Sequence, residues 1–333
     1  VLKNTSWEER EEDFKKICKD IKSKNHNYDC VVPFSGGKDS ISIAHKLKFE
    51  YGLNPLLVTF APLINNEIGV LNRNEVINKG FTNVLVSPNG RVSRYLSKRF
   101  FIERGNPKVH WNAGIAAAPM RVALEKKIDA IFYAEDPMLV YGGRLTEQDS
   151  SRYITSTRIN ETWIGDEVLN WADENISKRD LEPYLVPQEI LNKKIAFFFG
   201  HFFPWDIVKN YEYVKKEYNF TVKKSRSTGT FTKFDSLDDI MDDLYYYMQY
   251  IKFGFGRCTR DVSRHIQTGH LSTEEGLALI KKYDGENPEQ YLQSYLDFFE
   301  MKHDDFIKTI NQHRSPEIWS KKGNNYQLKN KLF

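Results

Sequence analysis

The chain has 333 residues, 40% hydrophobic, 14% aromatic and 28% charged, a composition that excludes disorder and provides for one or two globular domains with a proper core. Its formal net charge of +3 sets up no global field for a polyanionic partner, so a nucleic-acid role would need a local basic patch. Three widely spaced cysteines, Cys18, Cys30 and Cys258, form neither a disulfide framework nor a CxxC pair, which suits a reducing compartment; the chain is expected to be cytoplasmic.

The opening stretch "VLKNTSWEEREEDFKKICKD" reads as a charged amphipathic helix rather than a signal peptide. Trp7, Phe14, Ile17 and Ile21 recur at helical spacing behind Thr5 and Ser6. The first residue is not Met, so further residues are expected upstream. A strand is predicted over 28–34, then a helix with Ile43, Ala44, Leu47 and Tyr51 on its buried stripe, ended by Gly52 and Pro55. Strands at 56–60 and 83–87 flank a helix through "EIGVLNRNEVINKG". Helices follow over about 91–103 and 112–127, then a strand in "DAIFYAED" at 129–136. After a long insertion, 193–218 repeats the strand-then-helix pattern. Its apolar run "IAFFFGHFFPW" is too short and interrupted to span a bilayer.

Short apolar strands alternating with helices are the sequence form of a parallel sheet covered on both faces. The expected organisation is an α/β nucleotide-binding domain over 1–235 and a helical region over 236–333. The latter should hold helices in "DSLDDIMDDLYYYMQYIKFGFGR", in "STEEGLALIKKYDG" behind a Ser272/Glu275 capping box, and in "NPEQYLQSYLDFFEMKHDDFIKTI".

The chemistry-bearing stretch is "YDCVVPFSGGKDSISIAHKL", 28–47. A parallel sheet places ligands at the carboxyl ends of its strands, where this turn falls. Gly36 and Gly37 permit a sharp turn and close backbone approach, while the next helix offers free N–H groups and its positive dipole end. Ser35 and Ser40 add hydroxyls and Lys38 a charge, a set suited to phosphate. Asp39 makes sense in such a cradle chiefly with a divalent cation. The loop is neither GxxxxGKS/T nor GxGxxG.

SGGKDS resembles the PP-loop, SGGxDS, of the ATP pyrophosphatases. The resemblance implies a Rossmann-like sheet of the adenine nucleotide α-hydrolase type, ATP with Mg²⁺, and pyrophosphate held by Ser35, Gly36, Gly37, Lys38, Asp39 and Ser40, with Asp39 on the metal. Members that move sulfur onto tRNA typically need a cysteine pair or cluster motif, which this chain lacks. It also lacks the N-terminal or elbow-held cysteine of a built-in glutaminase.

Further stretches, "FYAEDPMLVYGG" (132–143), "FFGHFFPWD" (198–206), "KFGFGRCTRDVSRHIQTGHLSTEEGLALIKKYDG" (252–285) and "HRSPEIW" (313–319), resemble the N-acetyl sugar amidotransferases of lipopolysaccharide and nonulosonic (pseudaminic-type) acid biosynthesis. That resemblance implies an AMP-forming enzyme converting an acetamido group on a free or nucleotide-activated sugar to an acetamidino group. The ammonia would come from a separate glutaminase with a channel subunit similar to imidazole glycerol phosphate synthase. No membrane partner is expected. Cys258, in "GRCT", stands where an alanine often occurs in that family.

Lys38, Asp39, Glu135 and Asp136 are the candidate catalytic residues; the last two follow the fourth strand and would position Mg²⁺ or the reacting amide, or else form a solvated acidic turn. Arg257, Arg260 and Arg264, at i, i+3 and i+7, would grip an acidic group of the sugar, with Gly142 and Gly143 beside it; the alternatives are a solvated helix face and a plain turn. His110, His201 and His265 are candidate proton acceptors, with an ordinary structural histidine the preferred reading at each. The competing function is an RNA-modifying enzyme that adenylates a tRNA base, with "KKIAFFF" and "VKKSRS" as its nucleic-acid surface.

Overall fold

A computed structural model describes residues 6–24, 27–136, 152–159, 164–323 and 325–329. The chain forms two compact units: one of residues 1–61, 69–89 and 110–221, the other of 62–68, 90–109 and 222–333.

The first unit is built on five strands, β1 (Cys30–Pro33), β2 (Pro55–Phe60), β3 (Thr82–Val86), β4 (Ile131–Tyr133) and β5 (Ala196–Phe198). They pair in parallel in the order β3-β2-β1-β4-β5, the doubly wound arrangement in which the strand order reverses beside β1. The helices in chain order are α1 (Trp7–Ser23), α2 (Lys38–His45, followed by a wider π turn over Lys46–Glu50), α3 (Glu67–Asn78), α4 (Gly90–Arg104), α5 (Val109–Lys126), α6 (Ser156–Ile159), α7 (Gln188–Lys193) and α8 (Ile207–Glu217). Among the described residues, no helix is long and apolar enough to cross a membrane.

Alternation along the strands explains the two covered faces. Cys30 and Val32 of β1, Leu57, Phe132 and Phe197 pack with Phe14 and Ile21 of α1, Ile43 of α2 and Val214 of α8, while Val31, Leu56, Val58 and Ile131 are equally buried. Each such side chain contributes roughly 1.5–3 kcal/mol. The Ser6 hydroxyl caps α1 by accepting the Glu9 N–H at 3.3 Å, as expected of that stretch.

The second unit contains α4, α9 (Met241–Phe253), α10 (Arg257–Gln267), α11 (Thr273–Tyr283), α12 (Leu292–Phe299), α13 (His303–Gln312) and a hairpin of β6 (Trp319–Lys322) and β7 (Asn325–Leu328). Its core joins Phe101 of α4 to Met241, Met248, Ile251, Phe299 and Phe306. Phe101 lies flat on Phe299, with centroids 4.9 Å apart and planes 4° apart.

The division of the chain therefore differs from a single cut after residue 235. Helical periodicity over 91–103 does not tell which core the helix faces, and the Phe101–Phe299 stack assigns it to the second unit. Residues 62–68 belong there too, because the buried Asp239 carboxylate accepts the N–H groups of Leu63 (3.0 Å) and Ile64 (3.1 Å). The helix expected through "NPEQYLQSYLDFFEMKHDDFIKTI" is two, broken at Glu300 with φ 49°. The fourth strand is shorter than 129–136, so Glu135 and Asp136 lie past its end.

Candidate functional site

The SGGKDS turn joins β1 to α2. Gly36 has φ +83°, and a Cβ there would lie 2.7 Å from Cγ of Arg73 and 3.1 Å from the Gly69 carbonyl oxygen; glycine is required on both counts. The two serines stitch the turn. Ser35 Oγ accepts the Gly37 N–H at 3.1 Å, and Ser40 Oγ donates to the Gly37 carbonyl at 3.1 Å. Gly37 then caps α2 with an extended backbone, φ −82° and ψ 160°.

Lys38 is buried, and its ammonium is 3.0 Å from Asp39 Oδ2. The other oxygen of Asp39 accepts from Asn210 Nδ2 of α8 at 2.9 Å. Two neighbouring residues were not marked by the sequence: Asn210, which orients Asp39, and Arg73 of α3, whose stem covers Gly36. Neither carries a local signal, since each reaches the loop only through packing of its helix.

Glu135 and Asp136 follow β4, the neighbour of β1, on the same carboxyl edge of the sheet. Asp136 is buried and forms an ion pair with the buried Arg158 of α6. The Arg158 guanidinium lies 4.3 Å over the Phe198 ring. A solvated acidic turn is thus not what forms at Asp136. The end of β5 closes in tightly: the Gly200 N–H donates to the Ala134 carbonyl at 2.9 Å, and a Cβ on Gly200 would lie 2.9 Å from the Asp136 nitrogen. His201 Nδ1 is 4.0 Å from Asp136 Oδ2. Gly142 and Gly143 lie outside the described residues.

Burial, helped by the charges of Arg10, Arg158 and Arg152, lowers the His201 pKa to about 4. The unfolded chain therefore takes up this proton first on acidification, and the stability tied to neutral His201 is present above its ordinary pKa of roughly 6.5 and lost as pH falls from there toward about 4. Asp238 opposes it, because burial and Asp242 raise its pKa to about 7. The difference between wild type and His201→Gln isolates the histidine: wild type should lose urea midpoint relative to the variant between these pH values, and parallel profiles would show that His201 is not held neutral.

In the second unit, Arg257 of α10 is buried, with Nη1 3.0 Å from Asp243 Oδ1 and Nε 3.8 Å from Asp261 Oδ2. Arg260 donates to Asp261 Oδ1 at 2.7 Å, bonds the Tyr246 hydroxyl, and stacks 4.4 Å over that ring. Arg264, one turn on, is partly exposed. The three arginines do share a stripe, but it is not a solvated face: Arg257 is turned into a carboxylate network linking α9 to α10. His110 is fully buried against Tyr184, and His265 is buried against Phe231.

All three cysteines are buried and unbridged. Burial first, and nearby acids second, push the Cys258 thiol up to about 12 and the Cys30 thiol well above its ordinary range; burial likewise takes Cys18 to about 12. The thiolate is the reactive form, so the native protein should leave all three thiols unlabelled by a disulfide reagent at pH 8 and release three only in denaturant. Prompt native labelling of Cys258 would contradict its placement.

The fold and the loop together define a doubly wound α/β unit with a tight glycine-serine turn at the end of its central strand. Residues 228–332 match the family model described as LPS biosynthesis protein WbpG-like, C-terminal domain. No curated protein matches the chain. Solved structures that resemble it include NMN synthetase from Francisella tularensis (15% identity, 57% of this chain and 75% of that one, TM-score 0.31). A predicted subunit of tRNA methyltransferase from Methanocaldococcus jannaschii is 15% identical over 41% of this chain and 70% of its own, with TM-score 0.26. U34-tRNA thiolase NcsA from Methanococcus maripaludis, solved with its 4Fe-4S cluster, is 13% identical over 81% and 78%, with TM-score 0.34. At these TM-scores the fold is read from the sheet itself.

Proposed function

We propose that the chain is an ATP-dependent, AMP-forming amidotransferase of the PP-loop ATP pyrophosphatase type, acting on the acetamido group of an N-acetylated sugar in bacterial surface-glycan biosynthesis. The observation that carries the reading is the SGGKDS loop, turned by a left-handed Gly36 at the end of β1, in a chain whose residues 228–332 match the model of a lipopolysaccharide biosynthesis domain.

An amide carbonyl resists ammonia because its oxygen leaves poorly. In the proposed reaction that oxygen attacks the α-phosphorus of ATP in line, pyrophosphate departs into the Ser35–Ser40 loop, and the resulting O-adenylyl imidate accepts ammonia and expels AMP. The carbonyl oxygen leaves on AMP and the nitrogen becomes the amidine. Such transfers need positioning and charge neutralisation more than covalent help, which is what Gly36, Gly37, Ser35, Ser40 and the buried Lys38 offer.

Asp39 fits Mg²⁺ as a single protein ligand beside phosphate oxygens and water, the usual way this ion is held; among the described residues no group of three or more His, Cys, Asp or Glu is arranged to hold a metal ion. The ion, when bound, would neutralise charge developing on the transferring phosphate. The Asp39 carboxylate, held by Lys38 and Asn210, keeps lone pairs to offer such an ion, and a phosphate group would give Lys38 a second partner. Glu135 is proposed to orient the amide, with Asp136 fixed by Arg158 at its side. Of the arginines, Arg264, with Arg260 behind it, is proposed to bind an acidic group of the sugar; Arg257 supports them from within. Ammonia is proposed to come from a separate glutaminase. The buried thiols do not favour tRNA thiolation.

The test is isotopic. A sugar carrying heavy oxygen in its acetamido carbonyl, turned over with ATP and ammonium, should yield AMP bearing that oxygen and unlabelled pyrophosphate. Label retained in the sugar, or released to water, would exclude adenylation of the carbonyl.

A further inference from the structure

Within the phosphate loop, Lys38 and Asp39 cancel, their charged groups 3.0 Å apart. Asp39 is further fixed through Asn210. A pyrophosphate group is multiply negative, and a helix N-terminus supplies only about half a positive charge, so the site has use for a further cation beside Lys38 and the proposed Mg²⁺.

A cationic side chain that packs directly on the loop is Arg73. It comes from α3, the helix that follows the neighbouring strand β2, and is 9% exposed. Its Cγ would lie 2.7 Å, and its backbone nitrogen 3.2 Å, from a Cβ on Gly36. The stem thus rests on the tightest point of the loop, and the guanidinium begins two bonds beyond that Cγ. Gly69, one turn earlier, brings its carbonyl oxygen to 3.1 Å of the same point, so the first turns of α3 are fixed against the loop. A planar, permanently charged guanidinium suits two phosphate oxygens at once better than an ammonium does.

Resting on the proposed ATP reading, we infer that Arg73 is the cation that binds the β- and γ-phosphates of ATP and retains pyrophosphate as it leaves. Gly36 is then glycine for two reasons, its left-handed backbone and the need for Arg73 to lie directly on it. A cation confined to the β- and γ-phosphates should distinguish nucleotides by those groups.

The test measures binding of ATP, AMP and inorganic pyrophosphate to the full chain by calorimetry, for wild type, Arg73→Met, which keeps the stem over Gly36, and Arg73→Lys. Arg73→Met should weaken ATP and pyrophosphate at least tenfold and leave AMP within twofold, and Arg73→Lys should recover part of the loss. Should the methionine variant not fold, Arg73→Gln is read in the same way. Wild type binding pyrophosphate and Arg73→Met binding it equally well would overturn the role of Arg73 alone, leaving a spacer over Gly36. Wild type binding neither ATP nor pyrophosphate would remove the nucleotide reading and this inference with it.

Discussion

Asp136→Ala should destabilise the protein by about 3–5 kcal/mol, the usual cost of leaving one partner of a buried ion pair uncompensated. Asp136 and Arg158 are 2% and 1% exposed, and Phe198 covers the guanidinium from its ring face, so water cannot readily replace the lost carboxylate. Arg158→Leu should be costly for the converse reason. The double variant Asp136→Leu/Arg158→Leu should recover much of the loss, because an apolar pair carries no buried charge. Urea denaturation of wild type, Asp136→Leu, Arg158→Leu and the double variant gives the coupling directly, with Asp136→Ala measured beside them. Additive losses, or an Asp136→Ala cost below about 1 kcal/mol, the size typical of exposed pairs, would place the pair at the surface. The pair matters beyond stability, for it fixes the chain just past β4, where Glu135 stands.

The second large effect is expected at Gly36. Alanine there must adopt φ +83° and place its Cβ against the Arg73 stem and two backbone atoms. Backbone strain of this type costs roughly 1–3 kcal/mol, and relief by local shifts would move Ser35, Lys38 and the start of α2 away from their positions. ATP binding should fall by more than tenfold and AMP-forming turnover by more than a hundredfold, with stability reduced by no more than a few kcal/mol. Calorimetric ATP binding and a denaturation curve on the same sample separate the two. Gly80, also at positive φ but with open space around its Cβ position, is the control: Gly80→Ala should lose stability without losing ATP. Normal ATP affinity in Gly36→Ala would show that the turn is not the phosphate site.

How much of this was legible depends on how each feature is encoded. The sharp turn at 35–40 was, because six consecutive residues after an apolar strand specify its glycines, its hydroxyls and its charge. The doubly wound sheet was legible in the same way, through apolar runs such as "LLVTF" between helical patterns. Arg73, Asn210 and Arg158 were not, since each meets its partner over 37, 171 and 22 positions of sequence, and no local pattern records that meeting. Arg257 illustrates the converse. Its spacing with Arg260 and Arg264 is the same for a solvated stripe as for a buried one, and only Asp243 and Asp261, arriving from α9 and from α10 itself, decide which. The placement of α4 was hidden likewise, because its apolar stripe does not name the core it faces; Phe299 does.

The central claim, carbonyl activation by ATP followed by capture of ammonia, is tested most directly by mass spectrometry of the purified protein incubated with ATP, Mg²⁺, ammonium and a panel of free and nucleotide-linked N-acetylated sugars. The proposal predicts AMP appearing together with one sugar lighter by the difference between O and NH, each dependent on the other. ADP in place of AMP, or AMP formed with bulk tRNA while every sugar stays unchanged, would contradict it.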